Sequence, residues 1–395
     1  MILRIASHSK ILSPAQTAWH TTHPPVSRSS ASFRVPAFRF AAALLAAVLL
    51  SACTTRGYEL FTGYAQGGTY SVKANMKGVD VSHNEVGAAI EDIFTLVDTT
   101  LSGYNRGSIL SRRNAACCTG DPVPGQTIRT NAVFDEILAL SDSMRVVSGG
   151  AFNVTGAPVF DVWGFGFTTD SLPSRELLDK ALDEVRTGRK LNFNAIAQGF
   201  TCDLISRYLH SIGVHDMLVE VGEIYCEGLN PSGTGWTIGI DAPYDGNMSP
   251  GRTLSGTWRS DGGSYGVVTS GNYRKFYIRD GKKYSHTVDP RTGLPVQHNL
   301  LSATVVVAGD AGAAPAAAVD IADASGTAGG RTPGAVANCR TPGAVADALA
   351  TYYMVVGIEE AKAHILSTPG VEACLITSDS LWTSPGFGLS FTSRQ

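Results

Sequence analysis

Ten consecutive residues, Tyr284-Ser285-His286-Thr287-Val288-Asp289-Pro290-Arg291-Thr292-Gly293, put hydroxyls, an imidazole, a carboxylate and a guanidinium on one short stretch. An imidazole changes charge near neutral pH, so such a stretch can move protons. Asp-Pro and Thr-Gly are turn dipeptides, which hold it in a bend. A bent polar loop of this kind is either a place where a scaffold carries chemistry or a surface hairpin with incidental polar residues. Further on, Ala346-Asp347-Ala348-Leu349-Ala350-Thr351 reads as helix. Asp347 and Thr351 are then four residues apart on one face. Two oxygen donors there suit a hard cation such as magnesium, or they are a helix cap and an unrelated threonine. Leu191 to Phe200 passes from a strand into a helix reaching about Ile212. Its first N–H groups suit a phosphate, as at any strand-to-helix junction. Trp163-Gly164-Phe165-Gly166 offers flat faces and close backbone to a ligand, or is ordinary core aromatic packing beside a loop.

Strands and helices must hold these groups. Gly266 to Gly271 and Leu301 to Val307 read as strands on either side of the histidine loop. Gly67-Gly68-Thr69 is a turn leading into a strand that ends near Ala74. Ile90, Ile93, Phe94, Val97 and Leu101 recur at helical spacing between Ala88 and Leu101. The same pattern marks Val133 to Ser148, and Ser174 to Val185 reads as a surface helix. Met217 to Gly222, Trp236 to Ile240 and Ala373 to Thr377 read as further strands, and Ala361 to Leu366 as more helix. Such interleaving argues for an α+β fold rather than a regular doubly wound sheet. Neither nucleotide fingerprint, GxGxxG nor GxxxxGK[ST], follows a strand.

The chain has 395 residues, 44% of them hydrophobic, and a formal net charge of −3. That balance argues against nucleic acid as the main partner. Arg34 and Arg39 precede the apolar run Phe40 to Leu50, which ends in Leu50-Ser51-Ala52-Cys53. A basic flank, a short apolar core and small residues make a secretory signal. The last four residues match the bacterial lipobox, so Cys53 is expected to be lipidated and residues 1–53 to be leader and signal peptide. Residues 54–66 are expected to tether the domain to its anchor. The other cysteines form no disulfide framework, and no CxxC pair occurs, which argues against a structural zinc site. Residues 309–343 are rich in Ala and Gly, and Arg331 to Ala337 recurs as Arg340 to Ala346. This span reads as an inserted surface loop.

Together the segments resemble the FAD:protein FMN transferase (ApbE-like) family over Gly67 to Thr377. Four markers occur in family order: Trp163 to Gly166, Asn194-Ala195-Ile196-Ala197-Gln198-Gly199, Ser285 to Gly293, and Ala346 to Thr351. The resemblance implies one α+β, T-fold-like flavin transferase domain at 67–395, with mixed sheets and packed helices. It implies FAD as substrate, Mg2+ as cofactor, and transfer of FMN to a threonine hydroxyl of an acceptor flavoprotein, a subunit of a membrane redox complex, with AMP leaving. His286 is the candidate base, since histidine is suited to activating a hydroxyl near neutral pH. By the family pattern Asp347, Thr351 and the Ala195 carbonyl would hold magnesium. Gly67, Thr69, Tyr104, Trp163, Gly164, Phe165, Asn192, Gln198 and Val288 would line the FAD site. The family's usual address implies a bacterial cell envelope protein, lipid-anchored to a membrane and facing the periplasm or exterior. Other readings are a FAD pyrophosphatase and a non-catalytic FAD-binding lipoprotein. The sequence departs from the family in three places. Gln198 stands where many relatives have lysine, Ala350 where some have an acid, and Val221-Gly222-Glu223 is one glycine short.

Overall fold

The computed structural model describes residues 57–118, 128–166, 172–244, 247, 251–273, 276–279, 282–309 and 340–390. The signal segment, Cys53 and residues 310–339 of the Ala/Gly-rich span lie outside the described residues. No helix among the described residues is long and apolar enough to cross a membrane.

The chain opens with strands β1 (Tyr58–Ala65) and β2 (Gly68–Asn75), then helices α1 (His83–Leu101), α2 (Ile109–Cys118) and α3 (Ala132–Val147). Short helix α4 (Ala157–Val162), α5 (Arg175–Thr187) and α6 (Ala197–Ser211) follow. Strands β3 (Met217–Val221), β4 (Glu223–Glu227), β5 (Thr237–Asp241), β6 (Leu254–Arg259) and β7 (Tyr265–Gly271) come next. Two small hairpins, β8 (Phe276–Arg279) with β9 (Lys282–Ser285) and β10 (Val288–Asp289) with β11 (Leu294–Pro295), precede β12 (Leu300–Ala308). Helices α7 (Pro342–Val356) and α8 (Ile358–Ser367) and strands β13 (Val371–Thr377) and β14 (Leu381–Thr383) complete the order.

Eight strands form one sheet in the order β1-β2-β3-β4-β7-β12-β13-β14. Every strand pair among the described residues is antiparallel, rather than the mixed sheets expected. The central strands are apolar on both faces because each face is covered. On one side Ala303, Val305, Val307, Val268 and Tyr225 join the main core with the helices. On the other, Val306, Val267, Cys226 and Cys374 pack with Trp236, Ile238 and Trp258 of the β5–β6 hairpin. Neighbouring residues of one strand thus enter different cores, which is the period of two expected of a strand.

Two further expectations need correction. Residues 58–65, expected as part of a tether, form edge strand β1, paired with β2 from Tyr58↔Asn75 to Ala65↔Gly68. The run Tyr58-Glu59-Leu60-Phe61 carries a buried Phe61 that anchors it to the core. Leu191 to Asn194 is no strand; Asn114 brackets Leu191 instead, donating to its carbonyl at 2.8 Å and accepting from its N–H at 2.9 Å. The helix expected over Ala361 to Leu366 is α8, which Gly357 at φ +82 separates from α7.

Helix α7 is buried nearly all round, so its fit is set by its neighbours. At its start it crosses α6 at a glycine pair. A Cβ on Gly199 would lie 2.2 Å from the Gly343 carbonyl oxygen, and one on Gly343 would lie 2.5 Å from the Gly199 carbonyl oxygen. Its N-cap, Thr341, makes no side-chain cap. Asp203 of α6 replaces it: Oδ1 accepts from the Gly343 N–H at 2.9 Å and Oδ2 from the Ala344 N–H at 2.8 Å. A carboxylate suits the electropositive end of a helix. Residues 340–343, assigned to the insertion on sequence, are therefore the pinned entry to α7. At the other end of that span, the Gly309 N–H donates to the Ser264 carbonyl at 2.8 Å.

Candidate functional site

Asp347 lies in the second turn of α7, buried, over the first turn of α6. A Cβ on Gly199 would come 2.9 Å from the Asp347 Cβ. The Gly199 N–H donates to Asp347 Oδ2 at 3.1 Å. Burial pushes this carboxyl up to about 7, against the pull of that N–H, and among the described residues no cationic side chain offsets its charge. A buried carboxylate without a cation is what a divalent ion answers. Thr351 is half-buried one turn on, and Ala195 is half-buried just before α6. An acid, a hydroxyl and a main-chain carbonyl are all oxygen donors, so the set fits magnesium.

Helix α6 begins without a side-chain cap at Ile196. Of its first N–H groups, that of Ala197 donates to the Phe193 carbonyl at 2.9 Å and that of Gly199 to Asp347 Oδ2 at 3.1 Å, which leaves the Gln198 N–H for an anion. Gln198 sits in that turn and packs over the β3–β4 turn. A Cβ on Gly222 would fall 2.6 Å from Gln198 Nε2, and Gly222 has φ +73. Glycine is thus favoured there for its conformation. The shortened Val221-Gly222-Glu223 does not disturb the strands. Register runs from Met217↔Glu227 to Val221↔Glu223, and β4 joins β7 at Ile224↔Val267. The β1–β2 turn, with Gln66 and Gly67 at φ +51 and +82, reaches α6 as well, Gln66 Nε2 donating to Thr201 Oγ1 at 2.6 Å. Thr69 beside it is exposed.

The histidine loop is a second body of packing. Val288 is buried with Val159, Trp163, Leu178 and Ala181 in a small cluster apart from the main core. Trp163 Nε1 donates to the Gly293 carbonyl at 2.6 Å, and its ring centroid lies 5.8 Å from that of Tyr284. Phe165 approaches His286 edge-on at 6.5 Å. Trp163, Gly164 and Phe165 are therefore brought to the loop containing His286 and Val288. The loop's charges satisfy each other: Arg291 Nε donates to Asp289 Oδ1 at 2.9 Å and Nη2 to Oδ2 at 2.9 Å. Thr287 Oγ1 donates to Asn272 Oδ1 at 2.5 Å, and Ser285 is buried. The bend is thus held by Thr287, Asp289 and Arg291, and His286 within it is half-buried. His298, just beyond, meets α7 through Nε2 and the Met354 carbonyl, 3.0 Å apart.

Asn192 is buried, and its Oδ1 accepts from the Asn194 N–H at 2.8 Å. It shapes the approach to Ala195, leaving its amide NH2 for other contacts. Tyr104 is 68% exposed on the loop between α1 and α2, a ring open to solvent. Sequence alone gives Asp203 no role, and it marks Gly222 only as a departure from the family pattern. A lone acid among the buried residues of α6 marks Asp203; the constraint on Gly222 is its backbone at φ +73, over which Gln198 packs.

The fold is that of a flavin transferase. The structure is similar to the Pseudomonas stutzeri flavinyl transferase ApbE in its apo form, with TM-score 0.65 and 28% identity, over 84% of this chain and 95% of that one. It is similar in fold to the flavin transferase ApbE from Vibrio cholerae, with TM-score 0.64 and 24% identity, over 84% and 98%. The chain belongs to the ApbE family, whose pattern matches residues 67–328. It is 29% identical over 296 residues to the FAD:protein FMN transferase of Haemophilus influenzae, covering 67% of this chain and 80% of that one. It is 26% identical over 344 residues to that of Escherichia coli strain K12, covering 80% and 84%.

Proposed function

We propose that this chain transfers FMN from FAD to a threonine hydroxyl of an acceptor flavoprotein and releases AMP. The observation that carries this is the buried Asp347 carboxylate over the first turn of α6, in a chain of the ApbE family. The threonine oxygen bonds to the FMN phosphorus, the bridging P–O bond breaks, and AMP leaves with the bridging oxygen. A threonine hydroxyl is a weak nucleophile, and His286 takes its proton. The start of α6 receives a phosphate oxygen through the Gln198 N–H. Asp347, Thr351 and the Ala195 carbonyl would hold magnesium, which neutralises charge on the pyrophosphate and on the departing AMP. Trp163, Gly164 and Phe165, braced on Gly293 and Tyr284, form the wall against which the flavin lies, and Val288 offers backbone to it. Gly67, Thr69, Tyr104, Asn192 and Gln198 complete the FAD site, Gln198 through its amide in place of a charge.

Cys53 carries the lipid in this proposal, and the domain sits in the bacterial envelope facing the periplasm or exterior. Its acceptor is then a subunit of a membrane redox complex. The test mixes the protein with FAD, magnesium and an acceptor domain bearing a threonine. Flavin fluorescence fixed to the denatured acceptor, with the added mass of FMN and loss on chelation, is the expected result. AMP and FMN released with no covalent flavin would favour the pyrophosphatase reading. FAD bound with neither product would leave a binding protein.

A further inference from the structure

At the opposite end of α6 from the site above, three ligand-type side chains converge. His210 stands in the last turn of α6, His215 in the loop that follows, and Glu227 at the end of β4. One ligand atom from each lies within 4.8 Å of the others. His210 Nε2 is 2.8 Å from Glu227 Oε2, and His215 Nδ1 is 3.7 Å from Glu227 Oε1. The two imidazoles lie side by side, centroids 5.4 Å apart at 29°. Each faces a different oxygen of one carboxylate.

The carboxylate is built in. Glu227 is buried at 7% exposure, and Tyr225 OH donates to its Oε2 at 2.5 Å while sharing a contact of 2.9 Å with Ser264 Oγ. Its main-chain carbonyl accepts from Trp236 Nε1 at 2.8 Å. A carboxylate oriented by such a neighbour is the usual support of a metal ligand. Donor atoms on a tetrahedral zinc ion stand about 3.3 Å apart, given bonds near 2.0–2.1 Å. The spacings of 2.8 and 3.7 Å, one to each oxygen of Glu227, bracket that value, and all three ligand atoms lie within 4.8 Å of one another. The His215 side chain is 70% exposed, which leaves an entry path and a place for water.

We propose that His210, His215 and Glu227 form a second metal site, for a zinc-class divalent ion with water at its remaining position. Imidazole nitrogens select such ions over magnesium. This separates the site from the all-oxygen set at Asp347, roughly 16 Å away along α6 at 1.5 Å per residue. The missing CxxC argued against a structural zinc site, but that motif speaks to thiolate ligands and these are imidazole and carboxylate. An ion here would tie the end of α6, the following loop and β4 together.

The test uses the full chain in detergent, stripped of metal and titrated with Co2+, which absorbs strongly in the visible when four-coordinate. One equivalent with that absorption, displaced by Zn2+ and not by a hundredfold excess of Mg2+, is the expected result. His215→Ala, at an exposed position, lowers affinity more than tenfold and leaves FMN transfer intact. Tyr225→Phe lowers affinity by about tenfold through loss of the oriented carboxylate. No saturable cobalt spectrum, or one unchanged in His215→Ala and in the His210→Ala/His215→Ala double variant, overturns the site.

Discussion

The two halves of the proposed flavin site are built differently. Asp347 belongs to the main core, where α7 is enclosed and meets α6 backbone to backbone at Gly199 and Gly343. His286 belongs to a small satellite cluster of short hairpins and α4 and α5, tied by Trp163 to Gly293 and by Thr287 to Asn272. The contrast teaches where each half is vulnerable. A change of volume near Asp347 is felt across the close-packed α6–α7 crossing. A change near His286 disturbs a local unit that rests on a few hydrogen bonds.

The sharpest break of this comparison is His286→Ala. Transfer falls by about 10²–10⁴, the usual weight of a positioned acid–base group, while FAD affinity by fluorescence titration stays near that of the parent. Transfer at the parent's rate would remove the imidazole from the base role. Asp347→Asn comes next. The magnesium concentration for half-maximal rate rises roughly tenfold or more, since a charged ligand is replaced by a neutral one. An unchanged magnesium requirement would take Asp347 out of the site.

Gly199→Ala tests the core half as packing. The added methyl meets the Gly343 carbonyl at 2.2 Å, and the forced separation costs about 1–3 kcal/mol, read as a lower urea midpoint. A neutral result would mean that α7 shifts freely. Asp203 gives a pH test of the same crossing. Burial raises its folded carboxyl to about 7 against an ordinary 3.8, more than the Ala344 N–H, Arg207 and the Gly343 N–H lower it. The unfolded chain releases this proton first, so stability falls as pH rises from 3.8 to about 7 and levels above that. Asp347 is shifted in the same direction. Asp203→Asn therefore flattens the slope of stability with pH without abolishing it; an unaltered slope would assign the effect elsewhere.

The smallest effect belongs to the satellite. Trp163→Phe loses the bond to the Gly293 carbonyl, worth about 1 kcal/mol net. Faster hydrogen exchange confined to 284–293, with the core unchanged, is the expected pattern. Exchange that quickens equally in α7 would show the two halves to be one cooperative unit.

Much of this was legible along the chain. Ile90, Ile93, Phe94, Val97 and Leu101 announce α1 by spacing, and the apolar run at 303–307 announces a strand buried on both faces. Local periodicity is enough there because burial follows it directly. The four motifs carried the family likeness for the same reason: each lies on one continuous stretch. Edge strand β1 was missed because exposed Leu60 and Tyr64 blur its alternation. The segment at Leu191 was misread because its hydrogen bonds go to the side chain of Asn114, far away in sequence.

By itself, then, the sequence determined the helices and strands, their α+β character, the residue types able to hold a cation or move a proton, and the family to look to. Only the tertiary structure decided that Asp203 caps a helix 140 residues away, that Gln198 lies over Gly222, and that Asp347 is buried without a cation. It also decided that His210, His215 and Glu227 meet at all. The physical reason is the same in each case. Burial, charge balance and close approach belong to groups that touch in space, and separation along the chain carries no record of them.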